Sequence, residues 1–250
     1  GSMAQASFDA YLLPRHIGLY SGVPQSVPAL GVQRICATGF ELLHQAARQL
    51  DDGVQLALCV AAESMSRNPI AAYTHRGGFR LGASVQFKDF LWEALFDPAP
   101  GLDMIATADN LARRYGLSRE TVDAYACDSH RRALAAQQTG WLAPEIVAVG
   151  HQTFDLDGYQ PRGITLPRGV DTVSEDSHPR PAELAALARL RAVHQGGVQT
   201  AGNSCAVVDG AAASLVARTS ACRDTPLALL RASAVVGVGN PLTRAESDLS

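Results

Sequence analysis

The spacing of apolar and polar residues along the chain predicts alternating strands and helices. Residues 54–61 form a continuous apolar run between polar residues, which predicts a strand buried on both faces, as in a parallel sheet covered by helices. The run at 227–238 also has a strand-like composition. The Ala-rich run at 209–217 predicts a helix that Asp209 would cap. This alternation is typical of an α/β fold.

Helical spacing of apolar residues recurs in other parts of the chain. It predicts helices at 9–18, 40–50, 106–115, 119–139 and 181–194. In the helix at 119–139, Ser118 is the predicted N-cap and Gly140 the predicted end. Scattered Gly and Pro residues predict irregular structure over much of 67–103 and 151–175.

Composition narrows the class of protein without identifying a reaction. Of 250 residues, 47% are hydrophobic and 18% charged, which is typical of a folded globular chain, and the net charge of −3 gives no reason to expect nucleic acid or membrane partners. The chain has no signal-peptide-like start and no apolar run of about 18 residues, so we predict a soluble, cytoplasmic protein. Its five cysteines are scattered, which argues against a disulfide framework or a zinc site.

Cys36 is the most informative candidate for chemistry. It lies between a short strand-like run and the helix predicted at 40–50. The unpaired N–H groups at a helix start favour thiolate over thiol, and a thiolate can carry an acyl group as a thioester. The alternative at this point is a buried, inert cysteine that behaves as a small hydrophobe.

The surrounding residues favour the nucleophile. Residues 27–40 contain Val27-Pro28-Ala29 followed by Cys36-Ala37-Thr38-Gly39, and four further segments follow in order: Glu63-Ser64-Met65-Ser66, Thr107-Ala108-Asp109-Asn110, Gly140-Trp141 with Glu145-Ile146-Val147, and Thr200-Ala201-Gly202-Asn203 with Asp209-Gly210-Ala211-Ala212. Together they resemble the motifs of the thiolase family, acetyl-CoA C-acyltransferases and acetyltransferases, over nearly the whole chain. Thr38 stands where the family usually has Ser.

The resemblance implies a fold and a domain organisation. The expected core is a layered α-β-α-β-α arrangement of two similar halves, incomplete in this chain. Residues 1–69 would belong to the N-terminal half of the core, 70–195 to an inserted loop domain, and 196–250 to the return to the core and the start of the C-terminal half. By this resemblance, an N-terminal stretch of about 50 residues and most of the second half lie outside the chain. The second half would supply Gly-His-Pro and Cys-x-Gly motifs for proton transfer, so we expect the chain alone to be inactive.

The resemblance also implies a reaction and its site residues. Cys36 would exchange an acyl group between acyl-CoA, acetyl-CoA and 3-oxoacyl-CoA, with coenzyme A thioesters as substrates, no permanently bound cofactor and no metal. Five further positions align with the coenzyme A cleft: Leu95, Met104, Arg180, Ala201 and Cys205. The family resemblance predicts a homodimer or homotetramer.

Three departures from the family pattern keep an alternative open. Asp103 stands where some members have His, Cys205 replaces a usual Ser, and Val208 replaces an Asn. A thiol is a poorer hydrogen-bonding group than a hydroxyl, and an anion near a phosphate-rich ligand is unfavourable. A non-catalytic thiolase-like protein that binds acyl-CoA or lipid, or serves as a structural subunit, is therefore the second hypothesis. A β-ketoacyl synthase fits the same motifs less well.

Overall fold

The chain forms two units, each built of helices and antiparallel strand pairs. The structure, a computed structural model, describes residues 1–4, 10–73 and 75–235. Within the described ranges, the first unit contains residues up to 95 and residues 207–235, and the second contains Phe96–Ala206. These limits lie further along the chain than the predicted boundaries at 69/70 and 195/196. The assignment of residues 70–195 to an inserted loop domain stays a prediction.

The described residues contain six α-helices. They are α1 (Leu13–Tyr20), α2 (Thr38–Asp51), α3 (Phe90–Leu95), α4 (Met104–Tyr115), α5 (Arg119–Gln138) and α6 (Leu184–Leu187). Short 3-10 helices occur at Ala10–Leu12, Met65–Arg67, His75–Gly77 and Thr219–Ala221. The helix predicted at 9–18 is therefore present as the first 3-10 turn followed by α1, although residue 9 lies outside the described residues.

Ten strands occur in the described residues, and they pair two by two. They are β1 (Leu56–Ser64), β2 (Ile70–Ala71), β3 (Lys88–Asp89), β4 (Phe96–Asp97), β5 (Leu102–Asp103), β6 (Val149–Gly150), β7 (Gln152–Phe154), β8 (Arg162–Ile164), β9 (Thr172–Val173) and β10 (Asp209–Ala217). The pairs are β1–β10, β2–β3, β4–β5, β6–β9 and β7–β8, all antiparallel.

The long pair β1–β10 corrects two predictions. Leu56 lies opposite Ala217 and Ser64 opposite Asp209, so the apolar run at 54–61 pairs with β10 in an antiparallel ladder rather than a parallel one. Leu56 is 56% exposed, so this strand is not buried on both faces. Apolar residues in succession do not distinguish parallel from antiparallel pairing, because both kinds of strand can pack on two sides.

Helix α2 packs against β1 and covers one face of the pair. Ala46 and Leu50 of α2 are buried, and so is Cys59 of β1, whose Sγ lies 3.7 Å from the carbonyl oxygen of Leu42. Phe40, the first residue of the helix predicted at 40–50, is 80% exposed, although Thr38 and Glu41 in the same helical turn are buried. The guanidinium of Arg218, directly after β10, donates to the carbonyl oxygen of Leu50 near the end of α2.

The helices α4 and α5 confirm the predictions made from local signals. Ser118 caps α5, with its hydroxyl accepting from the N–H of Thr121 at 3.2 Å. Gly140 follows the helix with a φ of 68°, a backbone conformation that glycine adopts readily. The Asp103 side chain caps α4 by accepting from the N–H of Ala106 at 2.7 Å.

Three predicted elements are wrong. The helix predicted at 181–194 is reduced to the four residues of α6, and the chain continues as turns. Residues 209–217 form β10 rather than a helix, because pairing with β1 outweighs the helical propensity of alanine. No strand forms at 227–235, and the last residues of that predicted strand, 236–238, lie outside the described residues.

A cavity of about 240 Å³ lies within the first unit, between α1, α2 and β1. Its lining is mainly apolar and includes Pro14, Ile17, Val27 and Leu42, whereas Cys36 does not contribute to it. None of the helices in the described ranges combines the length and the apolar character needed to cross a membrane.

Candidate active site around Cys36

A tight turn presents Cys36 just before α2. The N–H of Ala37 donates to the carbonyl oxygen of Arg34 at 3.0 Å, and the N–H of Thr38 donates to that of Ile35 at 3.1 Å. Ile35 has a φ of 46°, which is a strained, left-handed conformation for a β-branched residue. The chain thus reverses directly before Cys36 and enters the helix two residues after it.

The buried side chain of Thr38 holds this turn together. Its Oγ1 accepts from the backbone N–H of Arg34 at 2.8 Å and lies 2.6 Å from the carbonyl oxygen of Ile35, to which it donates. Both bonds cross the turn that carries Cys36. The Thr38 hydroxyl therefore holds the backbone of the turn on which Cys36 lies, directly before α2.

A buried carboxylate supports the same turn from inside α2. Glu41 Oε2 accepts from Arg34 Nε at 2.7 Å, and Oε1 accepts from Gln45 Nε2 at 2.6 Å. The hydrogen bond from Gln45, followed by the Arg34 guanidinium, holds the pKa of Glu41 below its ordinary value. An ionised residue in the first helical turn also suits the positive end of the helix dipole.

Cys36 is exposed, which contradicts the alternative of a buried cysteine, whereas its reactivity stays a prediction. Its Sγ lies 3.7 Å from Sδ of Met3, which is buried. Cys59 contrasts with it in the same unit, because burial excludes Cys59 from solvent and raises the pKa of its thiol. Of these two cysteines, exposure and the adjoining helix start favour Cys36 as a nucleophile.

Glu63, near the end of β1, holds the segment that lies against Cys36. Its Oε2 accepts from the N–H groups of Met3 at 2.7 Å and Ala4 at 2.9 Å. The Gln33 side chain donates to the carbonyl oxygen of Met3 at 2.7 Å. The sequence analysis placed Glu63 in a motif but did not predict its hydrogen bonds to Met3 and Ala4. The available signal was an acidic residue near the end of an apolar strand.

The five positions predicted to line a coenzyme A cleft are distributed over both units. Leu95 ends α3 in the first unit and is half-buried. In the second unit, Met104 begins α4, Arg180 lies in the loop before α6, and Ala201 and Cys205 share one loop. Met104, Arg180, Ala201 and Cys205 are exposed. Only Ala201 and Cys205 lie on the same segment, and the binding roles of all five positions stay predictions.

The loop carrying Ala201 and Cys205 is fixed by two buried carboxylates from neighbouring helices. Asp109 Oδ1 of α4 accepts from the N–H groups of Val198 at 2.8 Å and Gln199 at 3.1 Å. Asp123 Oδ1 of α5 accepts from Asn203 Nδ2 at 2.8 Å. Asp109 of the motif at 107–110 therefore holds the two residues that directly precede the motif at 200–203, and Asp123 holds Asn203 within it.

Two other acidic residues, Asp103 and Asp209, also have hydrogen-bond partners. Asp103 directs Oδ1 towards the first turn of α4, and His194 Nε2 lies 3.4 Å from the same oxygen. Asp209 was predicted to cap a following helix, but β10 begins at this residue, so the prediction is wrong. Asp209 instead accepts from the N–H of Ser66 at 3.0 Å and from its hydroxyl at 2.6 Å. In the described ranges, no group of three or more His, Cys, Asp or Glu residues could hold a metal ion.

Comparison with known proteins places this geometry in a family. A family model described as "Thiolase, N-terminal domain" matches residues 1–220. Human mitochondrial 3-ketoacyl-CoA thiolase is 35% identical over 234 residues, covering 91% of this chain and 56% of the human protein. A Pseudomonas aeruginosa beta-ketoadipyl-CoA thiolase is 36% identical over 248 residues, covering 95% of this chain and 59% of the relative.

Solved structures show the same fold. Human mitochondrial 3-ketoacyl-CoA thiolase in complex with CoA superposes with a TM-score of 0.77 at 33% identity, covering 88% of this chain and 52% of the human chain. An acetyl-CoA acetyltransferase from Bacillus anthracis gives a TM-score of 0.76 at 31% identity, covering 88% of this chain and 53% of that chain. This chain spans a little over half the length of the relatives that it matches.

Proposed function

The chain belongs to the thiolase family, and on that premise we propose that it is an acyltransferase in which Cys36 accepts the acyl group of a coenzyme A thioester. The observation that carries the proposal is the exposed Cys36 at the start of α2, in a turn tied by the buried Thr38 hydroxyl. A related structure is described as a complex with CoA, which supports coenzyme A thioesters as the substrate class.

The proposed reaction has two steps. The Cys36 thiolate attacks the thioester carbonyl carbon, the bond from that carbon to the coenzyme A sulfur breaks, and the proton lost by Cys36 is balanced by the one that the released coenzyme A thiolate takes up. The acyl group then passes from Cys36 to a second coenzyme A thiol or to the carbanion of acetyl-CoA. The Cys36 backbone N–H is the proposed donor to the developing oxyanion.

Mass spectrometry of the protein after incubation with acetyl-CoA or acetoacetyl-CoA tests the first step. We expect one acyl group, located on the Cys36 peptide and released by hydroxylamine. Cys36→Ala should abolish this adduct, and Cys222→Ala, which removes another exposed cysteine, should not. An adduct that persists in Cys36→Ala would refute the assignment. Acyl-CoA binding without acylation would favour the binding protein instead.

We also propose that the protein assembles with a second copy of itself. Leu58 and Leu215 lie opposite each other on β1 and β10, and both are exposed. Paired exposed leucines on a sheet support an apolar partner surface. Light scattering at micromolar concentration should give at least a dimer, and a monomer would contradict the proposal.

The proposed location is the cytoplasm. Scattered cysteines without a disulfide framework support a reducing compartment. The human relative is named as mitochondrial, so fractionation of the source cells with markers for each compartment is the test.

A further inference from the structure

We propose that Glu63 is a positioning residue for Cys36, acting through Met3. This inference rests on the proposed function in one respect, since it takes Cys36 to be the reacting group. Glu63 makes its hydrogen bonds to residues 2–4, not to the sulfur. It fixes the backbone of residues 2–4, and that segment holds the Met3 side chain against the cysteine.

The hydrogen bonds between Glu63 and residues 2–4 all involve one carboxylate oxygen, Oε2. Oε2 of Glu63 accepts two consecutive backbone N–H groups, from Met3 at 2.7 Å and Ala4 at 2.9 Å. The Ser2 hydroxyl lies 2.9 Å from the same oxygen and 2.5 Å from the carbonyl oxygen of Ala4, so its single hydrogen can be donated to either. Hydrogen bonds to an ionised acceptor are stronger than those between neutral groups.

The segment is fixed from a second side as well. Gln33, three residues before Cys36, donates its side-chain amide to the carbonyl oxygen of Met3 at 2.7 Å. Both backbone polar groups of Met3 thus have side-chain partners, and its own side chain is only 7% exposed. Met3 has little freedom to move, and its Sδ lies 3.7 Å from Sγ of Cys36.

The cost of this arrangement argues for a role beyond stability. The other Glu63 oxygen, Oε1, is buried and has no hydrogen-bond partner among the described residues. A buried acceptor without a donor costs free energy, so this carboxylate is not optimised for stability alone. Departures of this kind are expected where function sets the geometry.

The chemical consequence concerns the orientation of the sulfur. Acyl transfer requires the attacking atom to lie in line with the thioester carbonyl, and small misplacements of a reacting group slow a reaction strongly. Met3 occupies one side of Sγ and restricts the cysteine to the remaining directions. Releasing Met3 should therefore make Cys36 easier for a small reagent to reach but worse oriented for acylation.

The test compares two rates in the full chain. Iodoacetamide labelling of Cys36, followed by peptide mapping and normalised to the exposed Cys222 of the same molecule, reports access to the sulfur. Acylation by acetyl-CoA, followed by intact mass, reports orientation. For Glu63→Leu we expect labelling about threefold faster and acylation about tenfold slower. Glu63→Gln keeps an oxygen that can accept the two N–H groups, so both rates should stay within about twofold of wild type.

A double-mutant cycle separates positioning from a general loss of structure. If Glu63 acts through Met3, Met3→Ala should change both rates in the same directions, and adding Glu63→Leu to it should have little further effect. Additive effects of the two substitutions would overturn the proposal. So would a Glu63→Leu protein that melts at a lower temperature but keeps both Cys36 rates unchanged.

Buried Cys59 monitors folding in these measurements, since rapid labelling there indicates an open core. If Glu63→Leu does not fold, Gln33→Ala takes its place. Gln33 is exposed, and its substitution removes only the hydrogen bond from the Gln33 side chain to the carbonyl oxygen of Met3. Gln33→Ala should shift both rates in the same directions by a smaller factor, and unchanged rates would overturn the proposal. A wild-type protein that is not acylated at all would refute the proposed function, whereas the labelling cycle still measures the coupling between Glu63 and Cys36.

Discussion

The Thr38 hydroxyl accepts a hydrogen bond from the backbone N–H of Arg34 at 2.8 Å, across the turn that presents Cys36. The same hydroxyl donates to the carbonyl oxygen of Ile35, so one oxygen connects both sides of the turn. The family usually has Ser at this position, and a Ser hydroxyl can make the same two bonds. The replacement of Ser by Thr therefore preserves the chemistry of the turn.

Replacing Thr38 tests the importance of that hydroxyl. Thr38→Val has nearly the same shape but leaves the N–H of Arg34 without its buried partner, so we expect a loss of about 1–3 kcal/mol in the free energy of unfolding. Thr38→Ser should lose less, about 1 kcal/mol, for one buried methyl group. Urea unfolding measures both. A larger loss in Thr38→Ser than in Thr38→Val would show that the methyl group, not the hydroxyl, is the main stabilising group at this position.

How much the sequence predicts depends on whether the signal is local. Ser118 and Gly140 define the ends of α5 correctly, because N-caps and left-handed glycines act within one helical turn. Residues 209–217 were assigned wrongly, because their partner β1 is about 150 residues away and alanine itself favours a helix.

The same division applies to the site. The turn at Cys36 is encoded by neighbouring residues, and the position of Cys36 directly before a helix agrees with the spacing of its sequence, whereas its role as the nucleophile stays a prediction. The bond from Met3 to Glu63 joins residues 60 positions apart and could not be read from spacing. Pairings of this kind depend on the tertiary arrangement, which periodicity does not contain.

The cysteines should differ in reactivity towards iodoacetamide. We expect Cys36 to be alkylated before the other four at neutral pH, because it is exposed next to the start of α2. Cys59 should be the slowest, since burial both blocks the reagent and raises the pKa of its thiol. Because the pKa of the Cys59 thiol is raised, its labelling should go on increasing with pH beyond the point at which an ordinary thiol is fully ionised. Peptide mapping over time measures the order, and faster labelling of Cys59 or Cys127 would contradict it.

The bond between Asp209 and Ser66 should make stability depend on pH. The Ser66 hydroxyl, and then its N–H, hold the pKa of Asp209 below the ordinary value. A carboxyl group whose pKa is lowered by folding stabilises the protein above its unfolded pKa of about 3.9, and this contribution is lost as the pH falls through the folded pKa. Because Asp209 is exposed, we expect less than about 1 kcal/mol.

Chemical unfolding of Asp209→Asn and wild type checks this sign. The difference between the two should be present at pH 7 and should shrink below about pH 3.5. Ser66→Ala is the matched variant, because it removes the hydroxyl that is the main cause of the shift. A difference that grows as the pH falls would contradict the assignment.

The carboxylate of Asp123 should stabilise the second unit more than an exposed carboxylate does. It is 1% exposed and accepts from Arg119 Nε at 2.7 Å and from Asn203 Nδ2 at 2.8 Å. Asp123→Ala leaves both donors without this partner and should cost about 3 kcal/mol. Asp128 on the same helix pairs with Arg131 and Arg132 at the surface, where solvent screens the ion pairs, so Asp128→Ala should cost clearly less than Asp123→Ala. Similar losses in the two variants, measured by urea unfolding, would show that burial does not distinguish them.

The 250-residue chain should become acylated on Cys36 without turning over. Acyl transfer into the cysteine needs the thiolate, whereas repeated cycles need a group that moves protons within about 3 Å of the reacting atoms. The family resemblance assigns that task to Gly-His-Pro and Cys-x-Gly motifs, and none of the seven histidines of this sequence lies in a Gly-His-Pro context. Acetoacetyl-CoA should therefore give a single, stoichiometric acylation followed by no further thioester cleavage. Sustained cleavage by this chain would mean that one of its own residues transfers the proton, and substitution of each histidine in turn would identify it.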